Sequence, residues 1–94
     1  MINVQEETRV QELTDTLTKE DQENHLIVFN DDVNTFDYVI HLLMQVCEHD
    51  FLQAEQCTLL IHYKGKCEVK TGSYEDLEPR CSKLLEAGLS AEIQ

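Results

Sequence analysis

A break at His25 constrains this chain more than any other feature. The residues before it hold seven acids and two bases, many Gln, Thr and Asn, and only scattered apolar residues (Ile2, Val4, Val10, Leu13, Leu17). Such a segment buries too little apolar surface to offset the entropy lost on ordering it, so residues 1–24 are expected to be an acidic, mobile tail. Val10, Leu13 and Leu17 follow helical spacing, which allows a short or partner-induced helix there. The core of this 94-residue chain must then come from residues 25–94, enough for one small domain.

Apolar periodicity divides that domain. His25-Leu26-Ile27-Val28-Phe29 reads as a buried strand, halted by Asn30-Asp31-Asp32. Asn34, with Asp37 three residues on, reads as a helix N-cap. Phe36, Val39, Ile40, Leu43, Met44 and Cys47 then mark one helical face, fraying near His49-Asp50. A second helix is expected over Leu52 to His62, stopped by Lys64-Gly65-Lys66. Cys67 to Thr71 alternates as a half-exposed strand. Ser73 can cap a third helix with Glu75, Asp76 and Glu78 near its start, Pro79 early in it, and Leu77, Cys81, Leu84 and Leu85 as its apolar face. Gly88 ends that helix, and Leu89 to Ile93 alternates as a third strand. The order β-α-α-β-α-β predicts a two-layer α+β sandwich, three strands with three helices on one face.

Charge narrows the function classes. Seven Lys and Arg stand against nineteen Asp and Glu, a net −12. With no excess of cations, nucleic acid and anionic membrane surfaces are not expected partners. No apolar run reaches the roughly 20 residues that span a bilayer, and the first residues lack a secretory pattern, so a cytoplasmic protein is expected. Cys47, Cys57, Cys67 and Cys81 then read as reduced thiols. Cys47 with His49 and Cys57 with His62 could in principle gather on zinc, but small buried thiols are the simpler reading, and no metal or cofactor is expected.

Chemistry concentrates in Asn30-Asp31-Asp32-Val33-Asn34, four acceptor-rich side chains within five residues. Turn chemistry alone accounts for such a run. A calcium loop does not, because the central Gly and closing Glu are missing. Paired Asp holding Mg²⁺ for phosphoryl transfer needs a larger doubly wound sheet. A pocket for an ammonium group, with three protons to place, remains open. Thr58 and His62 stand four apart on the second helix and face the same way, while no serine or cysteine sits in a catalytic setting, so no enzyme is expected.

The run Ile27-Val28-Phe29-Asn30-Asp31-Asp32, the helix with Phe36 and Tyr38-Val39-Ile40, and Ile61-His62-Tyr63-Lys64-Gly65-Lys66 resemble, in order and spacing, the ClpS family. Its members are bacterial and plastid adaptors of Clp proteases that recognise N-degrons, and the resemblance covers residues 25–94. It implies a three-stranded antiparallel sheet and a fold similar to the C-terminal domain of the bacterial ribosomal stalk protein. It implies that Asn30, Asp31 and His62 surround the α-amino group of a substrate protein, with Asp32 and Asn34 on the first peptide units and Asn34 also capping the helix. The first side chain, bulky and hydrophobic or aromatic, would enter a pocket of Phe36, Val39, Thr58, Ile61 and Leu89. Many members carry Met where this chain has Phe36 and Thr58, and Thr where it has Asn34. Phe36 would fill or gate the pocket more stiffly than Met, whereas Thr58 would open space near a β-branch. Phe, Leu, Tyr or Trp are then the expected termini, with Ile and Val excluded less strictly than usual.

The resemblance also implies that Glu75, Glu78 and Arg80 dock on the N-terminal domain of a ClpA- or ClpC-type AAA+ unfoldase, and that the unfoldase engages the acidic tail. The expected function is a non-enzymatic adaptor that delivers N-degron-bearing substrate proteins to that unfoldase. The alternatives are a Clp ATPase-docking or other interaction domain that takes no N-degrons and, more distantly, a metal-dependent hydrolase.

Overall fold

The most apolar run of the domain becomes the middle strand of the sheet. The computed structural model describes residues 23–94; apart from Glu23 and Asn24 the expected tail, with Val10, Leu13 and Leu17, lies outside the described residues. Strand β1 (Asn24–Phe29) buries Leu26, Ile27 and Val28, and pairs antiparallel with β2 (Lys66–Gly72) on one side and β3 (Ser90–Ile93) on the other. Val28 lies opposite Cys67 and Ala91. A register shift between Leu26 and Ile27 leaves Val69 as the extra residue of β2.

Helices α1 (Phe36–Val46), α2 (Phe51–Lys64) and α3 (Tyr74–Glu86) complete the β-α-α-β-α-β order. Alternate strand residues, Leu26 and Val28 of β1 and Cys67 and Val69 of β2, share one core with apolar residues of all three helices. The helices therefore cover one face of the sheet, the predicted α+β sandwich. Leu26, Leu43, Leu77 and Leu84 have no exposed surface, and truncating such a leucine to alanine costs about 2–5 kcal/mol. No helix among the described residues is long and apolar enough to cross a membrane.

Local signals hold at most ends. Asp50 caps α2 by accepting from Gln53 N at 2.7 Å, and Ser73 caps α3 by accepting from Asp76 N at 3.1 Å. Gly65 closes α2 in the left-handed region, at φ +92°. Several expectations need correction, among them Leu85, expected on the apolar face of α3 but half exposed beside the buried Leu84. Thr35, not Asn34, caps α1, its Oγ1 accepting from Tyr38 N at 3.2 Å, because the Asn34 side chain is bonded elsewhere. Met44 is exposed and Leu42 buried in its place, since α1 is flanked by both α2 and α3 and its buried face is wider than one stripe. Pro79 is the sixth residue of α3, past the first turn, where it removes a bond to the Glu75 carbonyl. Helix α2 runs on to Lys64, two residues beyond the expected end.

Candidate functional site

Asn30 leaves β1 with its N–H bonded to the Gly65 carbonyl at 2.9 Å. That bond ties the start of the acidic loop to the end of α2, three residues past His62. Within the loop, Asp31 Oδ1 accepts from Val33 N at 2.8 Å and Asn34 N at 2.7 Å, and Asp31 Oδ2 accepts from Asn34 Nδ2 at 2.8 Å. Partial burial raises the Asp31 carboxyl, but the bonds from Asn34 and Val33 prevail and hold it below the usual carboxylate range. The side chain stays ionised and fixes the loop.

A second set of bonds fixes the loop against the far end of the fold. Asn34 Nδ2 also donates to the Gly88 carbonyl at 2.9 Å, and the Tyr38 hydroxyl donates to the Ala87 carbonyl at 2.8 Å. Those carbonyls face the loop because α3 ends in a Schellman turn, with Gly88 N bonded to Leu85 O and Leu89 N to Leu84 O, each at 3.0 Å. Gly88 holds the left-handed conformation that this turn needs, at φ +96°. Tyr38 and Gly88 are contributors that the sequence reading missed as such. The signal was present in the i, i+4 step from Asn34 to Tyr38, which sets both side chains on one side of the helix start.

Between the loop, α1 and α2 lies a hollow of about 450 Å³. Asn30, Asp31, Asp32 and Asn34 line it from the loop, Phe36 and Val39 from α1, and Thr58, Ile61 and His62 from α2. Nine of the ten residues expected around an amine and its side chain are thus brought together. Leu89 is not among the lining residues. The Schellman turn carries it into the core, where it is 4 % exposed.

Polarity is divided across the hollow. Phe36, Val39 and Ile61 give apolar wall, and Thr58 adds to it because its hydroxyl is spent on the Ala54 carbonyl at 2.7 Å. The His62 ring stands edge-on to Tyr63, centroids 5.0 Å apart. Two carboxylates line the hollow and no Lys or Arg does. Such a cleft favours a cationic head on an apolar body, and it holds no nucleophile–base pair.

The expected docking residues sit on α3, outside the hollow. Glu75 and Glu78 are exposed, Glu78 Oε1 accepting from Ser82 Oγ at 3.2 Å. Arg80 is engaged within the domain: Nη1 donates to the Val46 carbonyl at 2.7 Å, at the end of α1, and Nη2 reaches Glu48 at 3.0 Å and Asp76 at 3.2 Å. As for a metal, no three His, Cys, Asp or Glu side chains among the described residues gather where they could hold one. His49 instead sits buried with Nε2 against the Val69 carbonyl.

Comparison with known proteins bears on this geometry. A family model described as ATP-dependent Clp protease adaptor protein ClpS matches residues 19–92. The ATP-dependent Clp protease adapter protein ClpS of Nocardia farcinica is 31% identical over 83 residues, covering 88% of this chain and 78% of that protein. The protein of the same name from Mycobacterium tuberculosis is 37% identical over 68 residues, 72% of this chain and 67% of that one. Among solved structures, Agrobacterium tumefaciens ClpS2 bound to L-phenylalaninamide superposes with a TM-score of 0.73 at 18% identity, covering 79% of this chain and 96% of that chain.

Proposed function

The chain belongs to the ClpS family of Clp protease adaptors, and on that footing we propose that it captures proteins by a bulky hydrophobic or aromatic N-terminal residue and delivers them to a Clp AAA+ unfoldase. The observation that supports this most is the meeting of Asn30, Asp31, Asp32 and His62 with Phe36, Val39 and Ile61 around one hollow. An ammonium group stripped of water needs charge-assisted acceptors, and an amide oxygen, carboxylates and an imidazole nitrogen supply them. A large apolar side chain entering the interior adds roughly 1.5–3 kcal/mol. Neither half suffices alone, so chain termini are preferred over internal segments. The ligand of Agrobacterium ClpS2, L-phenylalaninamide, carries a free amine beside a benzyl group, and its two halves match the two halves of the hollow.

Asp31 accepts three bonds from its own loop, so its part is to hold the loop and supply negative charge, with Asn30, Asp32 and His62 as the direct acceptors. Delivery is proposed to proceed by docking of Glu75 and Glu78 on the N-terminal domain of a ClpA- or ClpC-type unfoldase. The capture step is tested by fluorescence anisotropy with a labelled peptide beginning with Phe or Leu and with the same peptide acetylated at its N-terminus. Acetylation removes the charge and two donors, and binding is expected to vanish. A domain that docks on the unfoldase without taking N-termini binds neither form, and equal binding of both forms would refute capture through the amine.

A further inference from the structure

A second hollow, of about 510 Å³, lies where the end of α2 meets the sheet, and it shares no lining residue with the first. Leu60 and Lys64 line it from α2, Ile27 from β1, and Lys66, Cys67 and Glu68 from β2, an outer strand of the sheet. Leu60 is 46 % exposed and adjoins a longer bare strip. Leu52, Leu59 and Tyr63 stand at i, i+7 and i+11 on the side of α2 turned away from the buried Ala54, Thr58 and Ile61. Lys64 and Lys66 are exposed, and neither forms an ion pair with another described residue. Glu68, the acid on that wall, lies against His25 Nδ1. In a chain of net −12, cations here outnumber acids beside bare apolar surface.

The same chain carries a segment of complementary character. Val10, Leu13 and Leu17 are spaced as one helical face. Glu6 and Glu7 before Val10, and Glu20 and Asp21 after Leu17, extend that face by steps of three and four. An apolar centre is thus bracketed by acids, where the hollow sets apolar wall beside lysines. Reach is sufficient. The chain enters the domain at Asn24, opposite Gly72, and Lys66 lies opposite Phe29, five residues along β1 or roughly 17 Å at about 3.4 Å per residue. Leu17 precedes Asn24 by seven residues, which span up to about 23 Å when extended. We propose that residues 6–21 dock on this hollow of their own chain, with Val10, Leu13 and Leu17 against Leu60 and Ile27 and the bracketing carboxylates on Lys64 and Lys66. Tethering presents the segment at high effective concentration, so a contact too weak to hold a separate peptide is populated within one chain. Docking there leaves the first hollow open, because it uses none of the residues that line it.

The test treats the dilute full chain with a carbodiimide, which joins touching ammonium and carboxylate groups as an amide with loss of water, and maps the links by mass spectrometry. The expected product is a monomer in which Lys64 or Lys66 is joined to Glu6, Glu7, Glu20 or Asp21. Leu13→Ser combined with Leu17→Ser keeps every charge and alters nothing in residues 25–94, and it is expected to lose those links. In backbone NMR the same pair of substitutions is expected to shift the amides of Leu60, Lys64, Lys66 and Cys67 and to leave those of Asn30 and Asp32 in place. Links that survive the substitutions undiminished would mean that charge alone draws the segment in, without seating of its apolar face. Links spread evenly over Lys64, Lys66, Lys70 and Lys83 would mean that it has no seat, and links found only in covalent dimers would assign the hollow to a second copy. Each of these results, or a wild-type protein with no link to Lys64 or Lys66, overturns the proposal, and the wild-type map needs no variant to fold.

Discussion

Asp31 governs the loop that opens the site, because the hydrogen bonds from Val33 and Asn34 all converge on its carboxylate. Those bonds lower its folded-state pKa relative to the unfolded value of about 3.9. For a depressed carboxylate, the stabilisation is complete above the unfolded value and is lost as pH falls through the folded one. Asp31 thus contributes no step to peptide binding between pH 7 and 5, and the loop loosens only below about pH 4. Asp31→Asn removes the charge and one acceptor oxygen, and should weaken binding of a Phe-initiated peptide at pH 7 by about tenfold, on the order of 1.5 kcal/mol. Anisotropy titrations of the two proteins decide this, and unchanged affinity in the variant would show that the loop forms without the carboxylate.

At the scale of elements, the site depends on how three helix ends meet. The end of α2 holds Asn30 through Gly65, and the end of α3 holds Asn34 and Tyr38 through Gly88 and Ala87. Gly88→Ala tests the second junction. A Cβ there would meet Asn34 Oδ1 only at 3.9 Å, an ordinary contact, so the cost is the left-handed backbone at φ +96°, roughly 1–2 kcal/mol. Urea unfolding should show that loss, and a variant as stable as the parent would mean the turn tolerates a side chain. These junctions also mark where the sequence stopped being legible. Strands and helices could be read from apolar spacing, and Ser73 from its place before an acidic first turn, since such signals are local. Asn34 and Thr35 are adjacent residues, both competent caps. What decides for Thr35 is that Asn34 is drawn to Gly88, 54 residues away, a contact no local pattern carries. Leu89 shows the same limit: strand alternation located it along the chain, while the Schellman turn set its place in the core, beside Val39 and Ile61 in one buried cluster but outside the residues that line the hollow. That residues of the loop, α1 and α2 would line one hollow was implied by the family resemblance; periodicity placed Val39 on a helix face and Thr58 and His62 on one side of α2, but not the approach of those elements to one another.

For the whole molecule, the net −12 of the chain bears on two separate surfaces, an acidic mouth over the hollow and the exposed acids of α3. Arg80 braces α3 to the end of α1, so replacing it would disturb packing as well as any docking. The cleaner probe of docking is Glu75→Lys with Glu78→Lys. Pull-down and titration on an unfoldase N-terminal domain should show at least tenfold weaker docking, about 1.4 kcal/mol, with peptide capture unchanged. Loss of both together would mean that the two surfaces are not independent. The central claim, that one hollow receives an amine and its side chain at once, is tested most directly by backbone NMR during titration with L-phenylalaninamide and with its N-acetyl form. The account predicts that the free amine shifts the amide resonances of Asn30, Asp32, Val39, Thr58, Ile61 and His62 and leaves those of Glu75 and Glu78 in place, while the acetylated form shifts none. Shifts confined to α3, or equal shifts from both compounds, would contradict it.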